Sequence, residues 1–386
     1  MKPLDRCPVC DHDQLYPIYA HKEVQKYNLE VLRSRDEALG VATGAIDFVC
    51  CGNCCFTFNR KFSPEGMEYD IEYESSRSMS KVFQDYLEQT AKEASERLGR
   101  GNQNVVEIGC GDGEFLALYK DSAPDAQCFG FDPSFRKAPH QGIDIKKAYY
   151  QADLWDGPID AMIFRHILEH RRDPGGFLKE LFGQVKSKWP ERIFIEVPCW
   201  DWIVDNNQFY ALSYEHCSYF SAQSMAVFFQ KLGYALEDLS FKFNGEYLHA
   251  YGVRQDNPRP MEVADATLYS RSREFAKKLQ ASVDEMKRQF FTEGKKPILW
   301  GAAGKGTMLI NMLEVTHDKM PYVIDSNADR DGTFIPRTGQ EVILPHRLNG
   351  LDYEYKTVLL SNPLYRQEIE ASLQKLGVDV NLESLL

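Results

Sequence analysis

The stretch of residues 104–116, Asn-Val-Val-Glu-Ile-Gly-Cys-Gly-Asp-Gly-Glu-Phe-Leu, carries the clearest structural signal in this chain. Its apolar first half predicts a buried strand, and a helical pattern begins directly after it. Three glycines lie between the two, at alternate positions: Gly109, Gly111 and Gly113. Glycine lets the backbone turn sharply at the carboxyl end of a parallel strand, which is where open α/β sheets bind ligands. The stretch therefore predicts an α/β sheet with a ligand site at this turn.

Acidic residues surround the glycine turn and indicate which ligand it binds. Glu107 precedes the turn, Asp112 lies within it, and the predicted strand 127–132 ends in Asp132, followed by Pro133. Carboxylates repel pyrophosphate but suit the sulfonium and ammonium groups of S-adenosylmethionine. A carboxylate at the end of the second strand can also accept both ribose hydroxyls. The two motifs resemble those of class I S-adenosylmethionine-dependent methyltransferases, so we expect all of these residues to bind that cofactor.

Composition is that of a globular enzyme with more than one domain. The 386 residues suffice for two or three domains, and the formal net charge of −12 argues against a nucleic-acid partner. Apolar runs stay well short of the roughly 20 residues that span a bilayer. The amino terminus lacks the apolar core of a signal peptide. We therefore expect a cytoplasmic protein without a membrane partner.

Six of the ten cysteines lie within the first 55 residues. Cys7 and Cys10 form one C-x-x-C pair, and Cys51 and Cys54 form a second about 40 residues later. Two such pairs can place four thiolates around one tetrahedral Zn²⁺, which would be structural because no coordination position stays open. The neighbouring Cys50 or Cys55 could replace a member of the set, and the thiols could instead form disulfides or stay unliganded. We predict a zinc-binding module over residues 1–60.

Strands alternate with helices through residues 61–258, the predicted methyltransferase domain. Apolar runs predict strands at 104–109, 127–132, 159–164, 192–197, 234–243 and 247–253. Alternation of this kind is typical of a doubly wound parallel sheet. We predict a class I methyltransferase sheet of seven strands whose last strand is antiparallel, preceded by a helix over residues 81–98.

Residues 259–386 are predicted to form a linker helix and a Rossmann-like α/β domain. A strand over 298–300 leads into Gly301-Ala-Ala-Gly-Lys-Gly306, and Asp325 follows about 20 residues later at the end of another strand. This pattern resembles a dinucleotide fingerprint with altered spacing. It leaves an NAD(P)-dependent oxidoreductase as an alternative from a different reaction class.

Histidines follow the predicted strands 159–164 and 192–197 of the central sheet. His166 comes directly after its strand, close to the expected cofactor, and His170 lies four residues further on. A later loop contains Tyr214, Glu215 and His216, a histidine flanked by an acid and a phenol. Such a group is typical of a general base with an orienting carboxylate and a hydrogen-bond donor. These side chains could instead bind a metal or simply pack in the loop.

These motifs, in this order, resemble the three-domain sugar C-methyltransferases of deoxysugar biosynthesis. The resemblance covers essentially the whole chain. Besides the cysteine pairs and the glycine turn, it rests on Tyr73-Glu-Ser-Ser-x-Ser78, His166-Ile-Leu-Glu-His170, Tyr214-Glu-His-x-Ser-Tyr-Phe-Ser221, Gly245-Glu-Tyr247, Gly301-Ala-Ala-Gly-Lys-Gly306 and Val323-Ile-Asp-x-Asn327. The family carries a zinc module, a methyltransferase domain and a Rossmann-like domain, as predicted above.

The resemblance also implies residue roles. It makes His216 the base with Glu215 beside it, and it places His170 and Tyr73 at the sugar. The family pattern has a tyrosine three residues before the base, whereas this chain has Ser213 there and tyrosine at the next position. We expect the substrate, a nucleotide-linked sugar, to be bound by Tyr73, Ser76, Tyr219, Glu246 and Lys305.

The implied reaction joins a methyl group to carbon. His216 would remove a proton from a carbon next to a ketone, and Tyr214, Tyr73 or His170 would hydrogen-bond the enolate oxygen. The enolate would then attack the methyl group of S-adenosylmethionine in line. The same class of sugar could instead be methylated on oxygen or nitrogen.

Overall fold

The computed structural model describes residues 2–67, 80–99, 101, 103–136, 140–155, 157–185, 189–259, 261–263, 265, 267–292, 296–351, 354–355 and 357–384. The N-terminal part contains β1 (Leu15–Gln25), α1 (Arg35–Leu39), β2 (Thr43–Cys51) and β3 (Thr57–Asn59). The central part contains α2 (Lys81–Leu98), β4 (Asn104–Ile108), α3 (Glu114–Ser122), β5 (Gln127–Phe131), β6 (Ile143–Lys146), β7 (Ala161–Arg165), α4 (Pro174–Gly183), β8 (Arg192–Pro198), α5 (Trp200–Asp205), β9 (Ser218–Tyr219), α6 (Ala222–Leu232), β10 (Tyr234–Lys242) and β11 (Tyr247–Arg254). The C-terminal part contains α7 (Leu268–Phe290), β12 (Pro297–Trp300), α8 (Gly304–Met312), β13 (Tyr322–Ile324), β14 (Glu341–Ile343), β15 (Thr357–Leu360), α9 (Arg366–Leu376) and β16 (Asn381–Ser384).

The central sheet has seven strands in the order β6-β5-β4-β7-β8-β11-β10. Strands β4 to β8 are parallel, whereas β11 is antiparallel to both of its neighbours, β8 and β10. The predicted doubly wound sheet with an antiparallel last strand is therefore confirmed. Strand β6 had no predicted position, because it is short and alternate residues along it are exposed.

Helices cover both faces of this sheet, since successive strand residues point to opposite sides. On β4, Val105 packs into the core with α2 and α3, while Val106 packs into the core with α4 and α6. Both valines are fully buried. A strand buried on both faces reads as a continuous apolar run, which is the pattern that predicted β4.

The N-terminal sheet has the order β1-β2-β3-β9, with antiparallel pairing throughout. Its last strand, β9, belongs to the central part of the chain, about 160 residues after β3. The zinc module predicted over residues 1–60 is thus completed by a segment that follows His216. The predicted domain boundaries stay predictions.

The C-terminal sheet has the order β14-β13-β12-β15-β16 and is parallel throughout. This arrangement confirms the predicted Rossmann-like domain. Helix α7 connects it to the central sheet, and its apolar face joins one continuous core with β1 and α8. Among the described residues, none of the helices has the length and apolarity needed to cross a membrane.

Candidate active site

The glycine turn after β4 leaves open space beside its backbone. Gly109 has a left-handed φ of +73°, and a Cβ there would lie 2.1 Å from Ile167 Cδ1. Gly111 is also left-handed, with φ of +55°, but a Cβ there would meet no atom of the described residues within 4 Å. The first glycine is therefore required by packing, whereas the second faces a space in which a ligand can lie against the main chain.

The acidic residues predicted to bind the cofactor are gathered around this turn. Asp132 Oδ2 accepts the Gly111 N–H at 2.8 Å, and its Oδ1 accepts the Ser134 N–H at 2.7 Å. Asp112 Oδ1 accepts the Arg136 N–H at 3.1 Å. The carboxyl ends of β4 and β5 thus place two carboxylates at one edge of the sheet, and Pro133 follows directly.

Buried titratable side chains lie beneath this edge. Arg165 Nε is 3.0 Å from Glu196 Oε2, and its Nη1 is 3.8 Å from Glu107 Oε1. The second oxygen of Glu107 has no hydrogen-bond partner among the described residues. Burial raises the pKa of Glu107 to about 8. A cationic ligand at the turn would favour the charged form of this carboxylate.

His166 lies at the carboxyl end of β7 in a strained backbone conformation, with φ of +55°. Its Nδ1 is 3.2 Å from Glu169 Oε1, and its Nε2 is 2.8 Å from Glu196 Oε1. Burial alone would lower the pKa of His166, but the two carboxylates outweigh it and the pKa is raised. The imidazole is thus held between acids at the cofactor edge, an arrangement that favours a protonated ring rather than a base.

The two other predicted histidines lie together. The ring centroids of His170 and His216 are 4.8 Å apart, with the planes nearly perpendicular. Burial, and then the proximity of His216, lower the pKa of His170 to about 3, so this ring is neutral. Ser213, which replaces the family tyrosine, accepts the His216 backbone N–H on its Oγ at 3.2 Å. The structure therefore brings the predicted base beside a neutral imidazole.

The neighbours of His216 in the sequence are bonded to main chain elsewhere. The Tyr214 hydroxyl donates to Ser63 O at 3.1 Å and accepts the Ser63 N–H at 3.3 Å. Glu215 Oε1 accepts the Asn28 N–H at 3.1 Å. These contacts tie the loop to the N-terminal part, and they favour an anchoring role for both side chains. Their predicted catalytic roles stay predictions.

Tyr219, predicted to contact the substrate, is fully buried in β9. Its hydroxyl donates to Ala211 O and accepts the Ser213 N–H. This geometry favours a structural role, since both contacts hold residues 211–216, the loop that carries the predicted base His216 (the base loop). Tyr73 and Ser76, the other predicted substrate residues of this part, lie outside the described residues.

The N-terminal module continues to hold the chain beyond the base. Asn59 N–H donates to Cys217 O at 2.8 Å, and β3 pairs with β9 directly after that bond. Ser221 Oγ donates to Cys54 O at 3.3 Å. Gln223 Nε2 donates to Asn53 O at 2.8 Å. The second cysteine pair and the base loop are therefore parts of one structural unit.

Cys7, Cys10, Cys51 and Cys54 form a group that could hold a metal ion, with all four sulfurs within 4.8 Å of one another. The Sγ atoms of Cys7 and Cys54 are 3.7 Å apart, and those of Cys10 and Cys51 are 3.5 Å apart. Tetrahedral Zn²⁺ with Zn–S bonds of about 2.3 Å separates its sulfurs by about 3.8 Å. The donor set and its spacing thus fit zinc, and Cys50 and Cys55 lie outside the group.

Glu246 and Lys305, both predicted to bind the substrate, meet between the central and C-terminal sheets. Lys305 Nζ is 2.8 Å from Glu246 Oε1 and 4.5 Å from the centre of the Trp202 ring. Asn362 Nδ2 donates to Glu246 Oε2 at 3.2 Å. A cation, an aromatic face and a carboxylate therefore lie together at this boundary.

Sequence reasoning assigned no role to Glu169, Glu196, Asn28 or Ser63, which contact the predicted site residues. Glu169 carried a local signal, because a carboxylate three residues after His166 can reach the same imidazole. The other three come from distant segments, so spacing along the chain gives no indication of their contacts.

Comparison with known proteins agrees with this architecture. A model of a methyltransferase domain matches residues 77–239, and a model described as a C-methyltransferase C-terminal domain matches residues 255–378. Together with the strand order and the acidic glycine turn, these matches make the chain an S-adenosylmethionine-dependent methyltransferase.

One relative is similar to nearly the whole chain. The C-methyltransferase NovU of Streptomyces niveus is 24% identical over 397 residues, which cover 96% of this chain and 92% of that protein. The chain is therefore similar to a C-methyltransferase over nearly its whole length, and the resemblance predicted from its sequence motifs is confirmed.

Two solved structures that resemble the chain each cover less than half of it. The Haloferax volcanii complex of the Trm112 activator with a methyltransferase is 15% identical, covers 45% of this chain and 92% of that chain, and has a TM-score of 0.36. Magnesium protoporphyrin IX methyltransferase from Synechocystis is 13% identical. The match covers 47% of this chain and 86% of that chain, with a TM-score of 0.34. Because these TM-scores are low, the fold assignment rests on the strand order itself.

Proposed function

We propose that the protein transfers a methyl group from S-adenosylmethionine to a carbon next to a ketone on a nucleotide-linked sugar. The observation that carries the proposal is the pair of His216 and His170 beside the cofactor edge of the sheet. The match to a C-methyltransferase C-terminal domain and the similarity to a C-methyltransferase support carbon as the methylated atom, because a carbon nucleophile has to be generated by a base.

His216 is the base in this proposal. It removes a proton from the carbon, and the electron pair of the C–H bond forms the enolate. The enolate carbon attacks the methyl group, so a C–C bond forms while the S–CH₃ bond breaks and S-adenosylhomocysteine leaves. The proton held by His216 then passes to solvent.

The enolate oxygen needs a hydrogen-bond donor. His170 suits this role, since its low pKa keeps the ring neutral with one N–H. Tyr214 suits it less well, because its hydroxyl already donates to Ser63 O. Tyr73 stays a candidate, as the family resemblance implies.

We propose further that Zn²⁺ occupies the four-cysteine group. Bound zinc supplies structural cross-linking and leaves no position for substrate. Cys54 and Asn53 accept hydrogen bonds from the chain beyond His216. Ligation therefore stabilises the module that holds the base loop, and the metal takes no part in the reaction.

The nucleotide of the substrate is proposed to bind near Lys305. An ammonium group suits phosphate oxygens, and Trp202 offers an aromatic face close to it. Glu246 holds this lysine in place at the domain boundary.

The experiment combines S-adenosylmethionine with a panel of nucleotide-linked keto-sugars and analyses the products by mass spectrometry and NMR. A new C-methyl group next to the ketone is the expected result. Wild type should also exchange the adjacent proton with D₂O, whereas His216→Ala should lose about 10²–10⁴-fold in turnover and exchange. An O- or N-methyl product would contradict the proposal.

A further inference from the structure

Glu169 is a buried carboxylate for which the reaction above has no use. It lies in the 3₁₀ turn Leu168–His170 that follows β7, and its side chain is fully buried. Oε1 contacts His166 Nδ1, but Oε2 has no hydrogen-bond partner among the described residues. An unpaired oxygen on a buried acid is costly. That this oxygen is kept at such a cost indicates a role for the Glu169 side chain.

The two histidines of the proposed reaction lie beside this carboxylate. One oxygen of Glu169, one ring nitrogen of His170 and one ring nitrogen of His216 all lie within 4.8 Å of one another. The acid therefore faces the histidine pair from the side of β7, whereas the bonded oxygen of Glu215 faces Asn28.

Proton abstraction creates a charge that this site must accommodate. When His216 takes the proton it becomes an imidazolium, and its ring lies against that of His170. His170 is neutral and cannot compensate the new charge. A cation in a partly buried site is stabilised by a nearby carboxylate.

We propose that Glu169, rather than the adjacent Glu215, is the positioning residue that stabilises protonated His216. The inference rests on the proposed role of His216 as base. Glu169 acts through the histidine pair and does not contact the reacting carbon. Glu215 instead fixes the loop to the N-terminal module through the Asn28 amide.

Two isosteric variants, Glu169→Gln and Glu215→Gln, form a matched pair because each neutralises one buried acid near His216. The probe is the nucleotide-linked keto-sugar that wild type methylates best, in D₂O with S-adenosylhomocysteine in place of the methyl donor. The rate of deuterium exchange next to the ketone is followed by NMR as a function of pH. Calorimetry of S-adenosylmethionine binding and thermal melting serve as controls for folding.

Glu169→Gln is expected to slow exchange by about 10–100-fold and to move the pH at which the base titrates downward by about one unit. The direction follows because removal of a negative charge disfavours protonated His216. Cofactor affinity should stay within about twofold of wild type. Glu215→Gln should lower the melting temperature and leave the pH at which the base titrates unchanged.

Three results would overturn the inference. The first is a Glu169→Gln profile that titrates at the wild-type pH, and the second is a shift confined to Glu215→Gln. The third is wild-type exchange that is lost on dialysis against EDTA and restored by Mn²⁺, which would make the three groups a metal site. Absence of exchange in wild type at any pH would refute the proposed function itself, and so is distinguishable from these three.

Discussion

The central and C-terminal sheets contain the same local structure with different charged side chains around it. In each, a parallel strand ends in a glycine-rich turn, and an aspartate at the end of the next strand binds that turn. Asp132 Oδ2 accepts the Gly111 N–H at 2.8 Å, and Asp325 Oδ2 accepts the Ala302 N–H at 2.8 Å. The second oxygen of each aspartate accepts an N–H two residues later, from Ser134 and Asn327.

The difference lies in the side chains around the two turns. The central turn has the buried acid Glu107 below it, which suits a cationic ligand. The C-terminal turn carries Lys305 and no acid within its own sequence, and Glu246 from the central part pairs with this lysine at 2.8 Å. A cation at the turn suits an anionic ligand. Backbone geometry therefore provides a place for a ligand in both sheets, but charge decides which part of the reaction each one serves.

The largest expected effect concerns neither turn, because the cysteine group is bonded to the base loop. Cys51→Ser should lose the metal, and turnover should fall by at least about 100-fold as the His216 loop loses its support. Metal analysis, steady-state kinetics and calorimetry of cofactor binding test this. Cofactor affinity should change far less than turnover.

Cys50→Ser is the matched control for this variant, since Cys50 is a buried neighbour outside the metal group. It should keep one zinc per chain. A Cys51→Ser protein with full zinc content and normal turnover would refute the proposed ligand set.

A smaller effect is expected at the C-terminal turn. Lys305→Gln should raise the KM for the nucleotide-linked sugar about tenfold or more, because a charged hydrogen bond to phosphate contributes about 1.5–3 kcal/mol. Affinity for S-adenosylmethionine should not change. Lys296→Gln, on an exposed surface pair with Glu354, is the control and should leave both values unchanged. A KM unaffected by Lys305→Gln would place the nucleotide elsewhere.

The smallest effect is a proton released at the central turn. Because burial raises the pKa of Glu107 to about 8, this group carries its proton in the free protein at neutral pH. Its contribution to stability is therefore full below about pH 4.5, the ordinary pKa of a glutamate, and is lost progressively as the pH rises from there to about 8. A bound cation would charge the carboxylate and release up to about one proton near pH 7.

Calorimetry of S-adenosylmethionine binding in buffers of different ionisation enthalpy measures this release. Wild type should release a proton at pH 7, and Glu107→Gln should not. Equal proton release by both proteins would mean that binding of the cofactor does not change the protonation of Glu107.

The sequence was sufficient to predict structure where the residues that form a feature lie close together along the chain. An apolar run followed by alternate glycines predicted β4 and its turn, and two C-x-x-C pairs predicted the four-cysteine group. It was insufficient where partners are distant. The two-residue strand β9 pairs with β3 from about 160 residues away, and nothing in Ser218–Tyr219 itself indicates that pairing.

The same distinction applies within the site. Adjacency in sequence favoured Glu215 as the partner of His216 and gave no indication of Glu169. In the structure Glu215 reaches Asn28, and Glu169 lies by the histidine pair. The hydroxyl of Tyr214 likewise bonds to Ser63, a contact that depends on how the N-terminal module packs against the loop.

Calorimetry of S-adenosylmethionine binding to Asp132→Ala and Asp325→Ala tests the central claim most directly, since the two aspartates have the same local geometry in different sheets. We expect Asp132→Ala to weaken binding by about 1–3 kcal/mol, because ribose hydroxyls lose a charged acceptor, and Asp325→Ala to bind the cofactor like wild type. Unchanged affinity in Asp132→Ala, or a loss confined to Asp325→Ala, would contradict the assignment of the cofactor to the central turn.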